Sequence, residues 1–394
     1  MKKLIIIVLV LVAAHFTLVL TNNTYIYTVL KMTVFKGQMS PSIDEYPEFV
    51  NDTVRNTNGQ IQKWPLARDY NSNELGEEYA EAHNRLGSVA YLIIRNDSIC
   101  HEQYWDGFGP TSHSNSFSMA KSIVGALTGI AIEEGFIEGV DQKVCDFFPK
   151  YCEGKAADLT IEHLLTMSAG INFDESYINP FSYPGRANYG QDLWELNKKY
   201  EVTQNPGEVF SYQSGVSQLL AFVVEEAVGK SLSEYAEEKL WTPMGAKNFA
   251  LWSKDHEGGH VKAFCCFNSN ARDFARFGKL YEHNGVWDGD TLIPPQYVSK
   301  SVKPADWLNE TNGEPNYRYG YQWWTHLNYK ESFDFFYMRG LKGQYVIVIP
   351  DKNLMVVRLG RERQKRGKFE LPKDVEYWID FALENYSSSG SSKS

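Results

Sequence analysis

Apolar and polar residues follow two rhythms along this chain, and the switch between them divides it. Leu86–Arg95 is rich in β-formers, Asn96-Asp97 is a turn signal, and Ser98–Trp105 returns, which predicts a hairpin. The period then lengthens. Ile123, Val124, Leu127, Ile130 and Ala131 recur at helical spacing until Gly135. Leu159–Gly170, Gln213–Val228, Leu232–Trp241 and Ala271–His283 predict further helices, and Phe274, Phe277, Leu280 and Tyr281 form one apolar stripe on the last. Strands come back at Tyr319–His326, Phe333–Arg339, Gln344–Ile349 and Leu354–Leu359, with a closing helix near Pro372–Asn385. That order predicts an α+β fold. One antiparallel sheet (85–110 and 317–360) is completed by both ends of the domain, with a helical lobe (about 116–250) inserted between.

The ends carry other signals. Met1-Lys2-Lys3 precedes an apolar run, Leu4–Leu20, so residues 1–22 read as a signal peptide or signal anchor. No Ala-x-Ala site follows the run, which favours an anchor with the bulk of the chain exported, facing a periplasm, or secreted if cleaved. Residues 23–80 are polar and poorly patterned and read as a spacer; 81–386 form the domain, and 387–394 a disordered tail.

Composition narrows the chemistry. A net charge of -10 gives no electrostatic reason to expect nucleic acid as a partner. The five cysteines form no zinc-ligand pattern; Cys145 and Cys152 are close enough to bridge, and vicinal Cys265-Cys266 reads as buried packing. His256-x-x-x-His260 spans a glycine loop rather than a helix and makes a poor metal site, and His163 reads as a packed helix residue.

The chemistry concentrates in three stretches. Ser118-Met-Ala-Lys121 is the chain's only Ser-x-x-Lys and opens a helix, with Ser116 or Asn115 placed to cap it. Three residues on is nearly one turn, so Lys121 shares a face with Ser118 and can activate it. Alone the motif is weak, since about one or two copies arise by chance in a chain of this size. Tyr212-Gln-Ser214 follows a Pro-Gly turn and precedes a helix; beside an ammonium its phenol could ionise far below about 10 and act as base. Gly340-Leu341-Lys342-Gly343-Gln344 opens an apolar strand, whose backbone can approach Ser118 closely.

Together these stretches resemble, in order and spacing, the penicillin-recognising serine hydrolases: class C β-lactamases, the esterases of that fold and aminohexanoate-oligomer hydrolases. Leu159–Gly170, Asn205-Pro206-Gly207, Ala271–Gly278 and Tyr319–Trp324 resemble further family segments. The resemblance implies a β-lactamase/transpeptidase-like fold and an acyl-enzyme on Ser118, with Lys121 as partner and Tyr212 as general base. It implies an oxyanion hole from the amides of Ser118 and Gln344, and substrate contacts from Ser214, Leu341, Lys342 and Gly343. Where a β-lactamase has Lys-Thr-Gly, this register has Leu341-Lys342-Gly343, with Lys342 turned to the opposite face from Leu341. That favours an esterase or amidase over a penicillin specialist. The substrate is a small ester, amide or peptide, no metal or organic cofactor is needed, and pocket shape is set by loops such as 172–191 and 306–316. The rivals are a D,D-peptidase or weak β-lactamase, and a non-catalytic peptidoglycan-binding relative.

Overall fold

The alternating stretches meet where their pattern sends them. The computed structural model describes residues 1–38, 40–190, 192–365 and 371–386; the predicted tail lies outside these. The chain opens with helices α1 (Lys2–Leu20) and α2 (Ile26–Met32), then strand β1 (Asn51–Val54). The predicted hairpin is β2 (Ser88–Arg95) and β3 (Ser98–Tyr104), followed by a short strand β4 (Ser114–Asn115). The lobe contains α3 (Ala120–Glu133), α4 (Tyr183–Tyr189) and α5 (Ser214–Val228). Strands β5 (Ala250–Ser253) and β6 (Phe267–Ser269) precede α6 (Ala271–Glu282). The chain closes with β7 (Trp324–Tyr329), β8 (Phe333–Gly340), β9 (Gln344–Ile349), β10 (Leu354–Gly360) and α7 (Lys373–Tyr386).

The main sheet is antiparallel, in the order β3-β2-β10-β9-β8-β7, so the N-terminal hairpin and the C-terminal strands complete one another. Both faces are covered. Tyr91 and Arg358 are cross-strand partners on one face, where the Tyr91 hydroxyl donates to the Trp378 carbonyl of α7. Met355 and Val346 project from the other face, against Gly278 of α6. Helices α3 and α5 pack together in the lobe. Gln322 is the rivet between them: its carbonyl accepts from Ser122 (2.7 Å), and its side-chain oxygen from Ser217 (2.8 Å).

A second sheet was not legible in the pattern. It runs β1-β5-β6-β4 and draws its edge strand from the stretch read as a spacer. Ile43 and Val54 are fully buried in the main core, and the Trp64 indole donates to the Arg272 carbonyl. Residues 43–66 are therefore packed structure. Local composition hid this, because their few buried side chains pair with segments far along the chain, such as Val54 with Ala250 and Trp64 with Arg272.

Arg358 fastens the β8–β9 turn to the sheet. Its buried guanidinium donates to the carbonyls of Lys342 (3.0 Å), Gly343 (2.9 Å), Glu362 (2.9 Å) and Leu86 (2.7 Å), and to Ser88 Oγ (3.0 Å). Replacement by Met takes the donor from the Lys342, Gly343 and Glu362 carbonyls, each at about 1–3 kcal/mol, while the Leu86 carbonyl keeps the Glu362 amide (3.1 Å) and Ser88 Oγ keeps His83 Nδ1 (2.9 Å). Arg358→Met is expected to lower stability by at least about 3 kcal/mol, read as a fall in the urea midpoint at unchanged slope.

Candidate active site

Ser118 is held by a strained turn. Asn115, at the end of β4, accepts through Oδ1 from the amides of Phe117 (2.8 Å) and Cys266 (3.2 Å). Phe117 takes a left-handed backbone, φ 44°, uncommon for a bulky residue and of a kind often found at functional sites. Ser118 sits in a 3-10 turn, Phe117–Met119, that feeds α3, rather than in the helix itself. Ser116 does not cap the helix; its hydroxyl donates to the Phe117 carbonyl.

Lys121 lies one turn on, as its spacing requires. Its Nζ donates to Ser118 Oγ (3.2 Å), Ser214 Oγ (3.3 Å) and the Phe264 carbonyl (2.8 Å), with the Tyr212 ring 5.1 Å away. The residue is 1% exposed. Among the described residues no carboxylate reaches ion-pair distance of it. Burial disfavours the ammonium and pushes its pKa down to about 8, against the charge of Glu175, which raises it.

Tyr212 faces Ser118 but is not the ionised phenol expected from its neighbour. Desolvation raises its pKa above the ordinary value; the Ser118 hydrogen bond and the charges of Arg339 and Arg363 pull it down, and Glu175 pushes it up. The correction follows from where the positive charge sits. Lys121 is itself easily deprotonated and lies over the ring, so it is a poor stabiliser of a phenolate.

Glu175 is the residue that motif reasoning missed. Its carboxylate accepts from the Ser214 amide (2.7 Å), the Ser214 hydroxyl (2.5 Å) and the Tyr177 hydroxyl (2.6 Å). The proton of Ser214 is thus committed to Glu175 and its oxygen to Lys121, so Ser214 positions the amine more than it offers a donor to substrate. No spacing announces Glu175; it lies on the 172–191 loop. Arg339 was also missed. It is 5% exposed, its guanidinium stacks 4.4 Å over Trp324, and its NH1 has no hydrogen-bond partner among the described residues.

The third stretch differs from the register read in the sequence. Leu341–Gly343 forms a tight turn joining β8 to β9, with Lys342 at φ 61°. Gly340 ends β8 against the Ser116 carbonyl, where a Cβ would come within 2.2 Å. Gln344 pairs with Gly340 across the hairpin and spends its side-chain amide on the Leu341 and Gly360 carbonyls, away from the cavity. Leu341 lines the cavity; Lys342 lies in the field of Glu45 and Glu362. The faces of Leu341 and Lys342 do differ, but through a turn and not through strand alternation.

These residues surround a cavity of about 310 Å³. Ser118 and Ser214 are at its base; Phe117, Tyr177, Ile178, Pro184, Phe264, Cys265 and Leu341 form its walls, and Ser40 and Pro41 reach its rim. No described lining residue carries a charge. Cys265 is disulfide-bonded to Cys266, so the vicinal pair is not simple packing. Cys145 and Cys152 bridge, and Cys100 is free and buried. His260 pairs with Glu225 (2.7 Å), and its backbone amide donates to Asp255, which also lies 3.1 Å from His256 Nδ1.

A serine with a buried lysine and a tyrosine, at the junction of an antiparallel sheet and a helical lobe, defines a serine hydrolase of the β-lactamase/transpeptidase-like fold. The Beta-lactamase family model matches residues 73–372, and the chain belongs to the beta-lactamase family. It is 25% identical over 287 residues to the 6-aminohexanoate-dimer hydrolase of Paenarthrobacter ureafaciens, covering 68% of this chain and 71% of that one. A Bacillus anthracis structure provisionally named as a 6-aminohexanoate-dimer hydrolase superposes with a TM-score of 0.72 at 21% identity, covering 86% of this chain and 93% of that one. The octameric penicillin-binding protein homologue from Pyrococcus abyssi gives a TM-score of 0.60 at 19% identity, covering 77% and 75%.

An ammonium cannot accept a proton, so the neutral form of Lys121 is the one able to act as a base toward Ser118 Oγ. The kcat/KM for an uncharged ester is therefore expected to rise with pH along a limb near 8 and to level off above it. Glu175→Gln removes the charge that favours the ammonium, so the limb moves to lower pH. A pH–rate profile of both proteins on the same ester checks the sign.

Proposed function

We propose that this protein is an exported, membrane-anchored hydrolase that cleaves an ester or amide bond through an acyl-enzyme on Ser118. The observation that carries the reading is the fully buried Lys121 amine, 3.2 Å from Ser118 Oγ, with its pKa depressed to about 8. An amine so placed is a base of the right strength at neutral to mildly alkaline pH. Lys121 takes the Ser118 proton as Oγ attacks the substrate carbonyl. The resulting oxyanion faces the amides of Ser118 and Leu341, residues that line the cavity, in place of the Gln344 amide expected from the sequence, since Gln344 starts β9 outside that lining. Tyr212, neutral at rest, protonates the departing alcohol or amine and recovers a proton from Lys121. Water then attacks the acyl-serine by the same route in reverse, releasing the acid and restoring Ser118. The uncharged walls favour an uncharged, apolar acyl or leaving group, and a cell-wall peptide or penicillin carboxylate finds no cation among the described lining residues. The apolar helix α1, with mean hydropathy 2.7, supplies the anchor.

Two experiments test this. In intact-mass spectrometry, a fluorophosphonate should add once to the wild type and not to Ser118→Ala, while a penicillin leaves no stable adduct. A stable penicillin adduct would move the assignment to a cell-wall peptidase. The Leu341 amide is tested by proline, because Gly340 is already extended (φ -114°, ψ 163°), the conformation favoured before a proline. Leu341→Pro is expected to lower kcat by about 10²–10³-fold, against a small loss in Leu341→Ala. Equal losses in the two variants would return the second donor to another residue.

A further inference from the structure

The end of the apolar helix and the catalytic cavity share a wall. Helix α4 presents Pro184, Gly185 and Asn188 to the cavity beside Ser118. Around the same helix Arg186 and Gly190 line a second hollow with Asn22 and Tyr25, and Tyr189 borders both. A helix is about 10–12 Å across with its side chains, so one helix width separates the site from the chain's exit from α1. The connection is fixed. The Tyr25 hydroxyl donates to the Pro180 carbonyl (3.1 Å), and Tyr25, Met32 and Tyr189 form their own apolar cluster. Helix α2 also folds back along α1, with the Tyr27 hydroxyl 2.9 Å from Nδ1 of His15. His15 lies inside α1, so if α1 crosses a bilayer, α2 rests at its headgroup level and the 177–181 loop beside it.

That loop and the segment leading to the cavity rim carry large apolar side chains in the open. Phe35 is 79% exposed and Ile178 96%, with Val34 and Phe181 also exposed. Phe35 lies five residues before Ser40 at the rim, and Ile178 lines the cavity itself. Val34 and Phe35 follow α2, and Ile178 and Phe181 flank the Pro180 that Tyr25 holds at the start of α2, so these exposed apolar side chains sit on segments joined there; exposed apolar surface of this kind marks something that covers it. These segments follow directly on the apolar helix α1, and no described residue lining the cavity carries a charge to repel hydrocarbon.

We infer that the catalytic cavity opens onto the bilayer that holds α1, and that its substrate is a membrane-resident ester or amide whose hydrocarbon part lies against the Ile178–Phe264 wall. The inference rests on the acyl-enzyme reading above and adds the substrate's class and phase. One water is consumed per bond cleaved; the acid and the alcohol or amine are the products.

The test uses the full chain reconstituted in phosphatidylcholine vesicles. Fluorophores on Phe35→Cys and Phe181→Cys should be quenched by spin-labelled phosphatidylcholine, and one on Phe136→Cys, beyond the far end of α3, should not. Phe35→Ser with Phe181→Ser should lower kcat/KM at least tenfold for a dodecanoyl ester held in the vesicles, and change that for a soluble acetate ester less than twofold. Unquenched probes overturn the inference, as do equal losses on the two esters or recovery of the membrane-bound chain without residues 1–20. If Ser118 takes no fluorophosphonate, the hydrolase reading falls and the substrate assignment with it, while the quenching still decides the surface.

Discussion

The site depends on keeping one ammonium-bearing side chain out of water without an ion-pair partner. Burying an amine costs several kcal/mol unless it is compensated, and Lys121 is compensated by three oxygens, the faces of the Tyr212 and Phe264 rings and the more distant charge of Glu175. Each oxygen comes from a different part of the chain. Ser118 is brought by the turn before α3, Ser214 by the start of α5, and the Phe264 carbonyl by the segment that leads into β6. The lobe therefore has little freedom to relax around Lys121. Any shift of α5 or of the 264 segment withdraws an acceptor from a group that cannot turn to solvent instead. The lowered basicity of Lys121 and the tight constraint on the lobe come from the same burial.

The surroundings are built to hold those acceptors still. The Trp252 indole donates to the carbonyls of Lys262 (3.1 Å) and Cys265 (3.2 Å), which brackets the Phe264 carbonyl from both sides. Asn115 joins the same segment to the nucleophile turn by accepting from both amides. Glu175 does the equivalent for Ser214. It touches neither Ser118 nor Lys121 directly, yet it fixes the hydroxyl proton and thereby which lone pairs face the amine.

Much of this was legible in the residues. The hairpin, the C-terminal strands and the α3, α5 and α6 helices follow from period and end signals, because each buries one face locally and stops at a Gly, Pro or cap. Ser118 and Lys121 were legible because helical spacing alone puts them together. What was not legible depends on contacts distant in sequence. The edge strand Asn51–Val54 has no pattern of its own and exists through pairing with Ala250–Ser253. Glu175 and Arg339 belong to no spacing, since their partners lie on separate segments. Strand alternation was expected to turn Lys342 from Leu341, but a tight turn with Lys342 at φ 61° does so, and local sequence does not distinguish the two. The charge state of Tyr212 was misread for a related reason: proximity to a lysine was visible, but not the burial that weakens that lysine as a charge.

The chain before residue 73 has a share in this site that its place outside the family match does not suggest. Ser40 and Pro41 form part of the cavity rim, and the Phe49 ring lies 3.5 Å under the buried Lys262 ammonium, which in turn holds the Asn188 carbonyl of the α4 wall. The proposed proton-transfer groups and part of the cavity lining are thus written in separate stretches of polypeptide. The lobe and sheet hold the first, and the leader, the chain before residue 73, adds to the second. Changes accumulating in the leader can retune what enters the cavity while the reacting groups keep their geometry, which makes it the cheapest place for this architecture to acquire a new substrate.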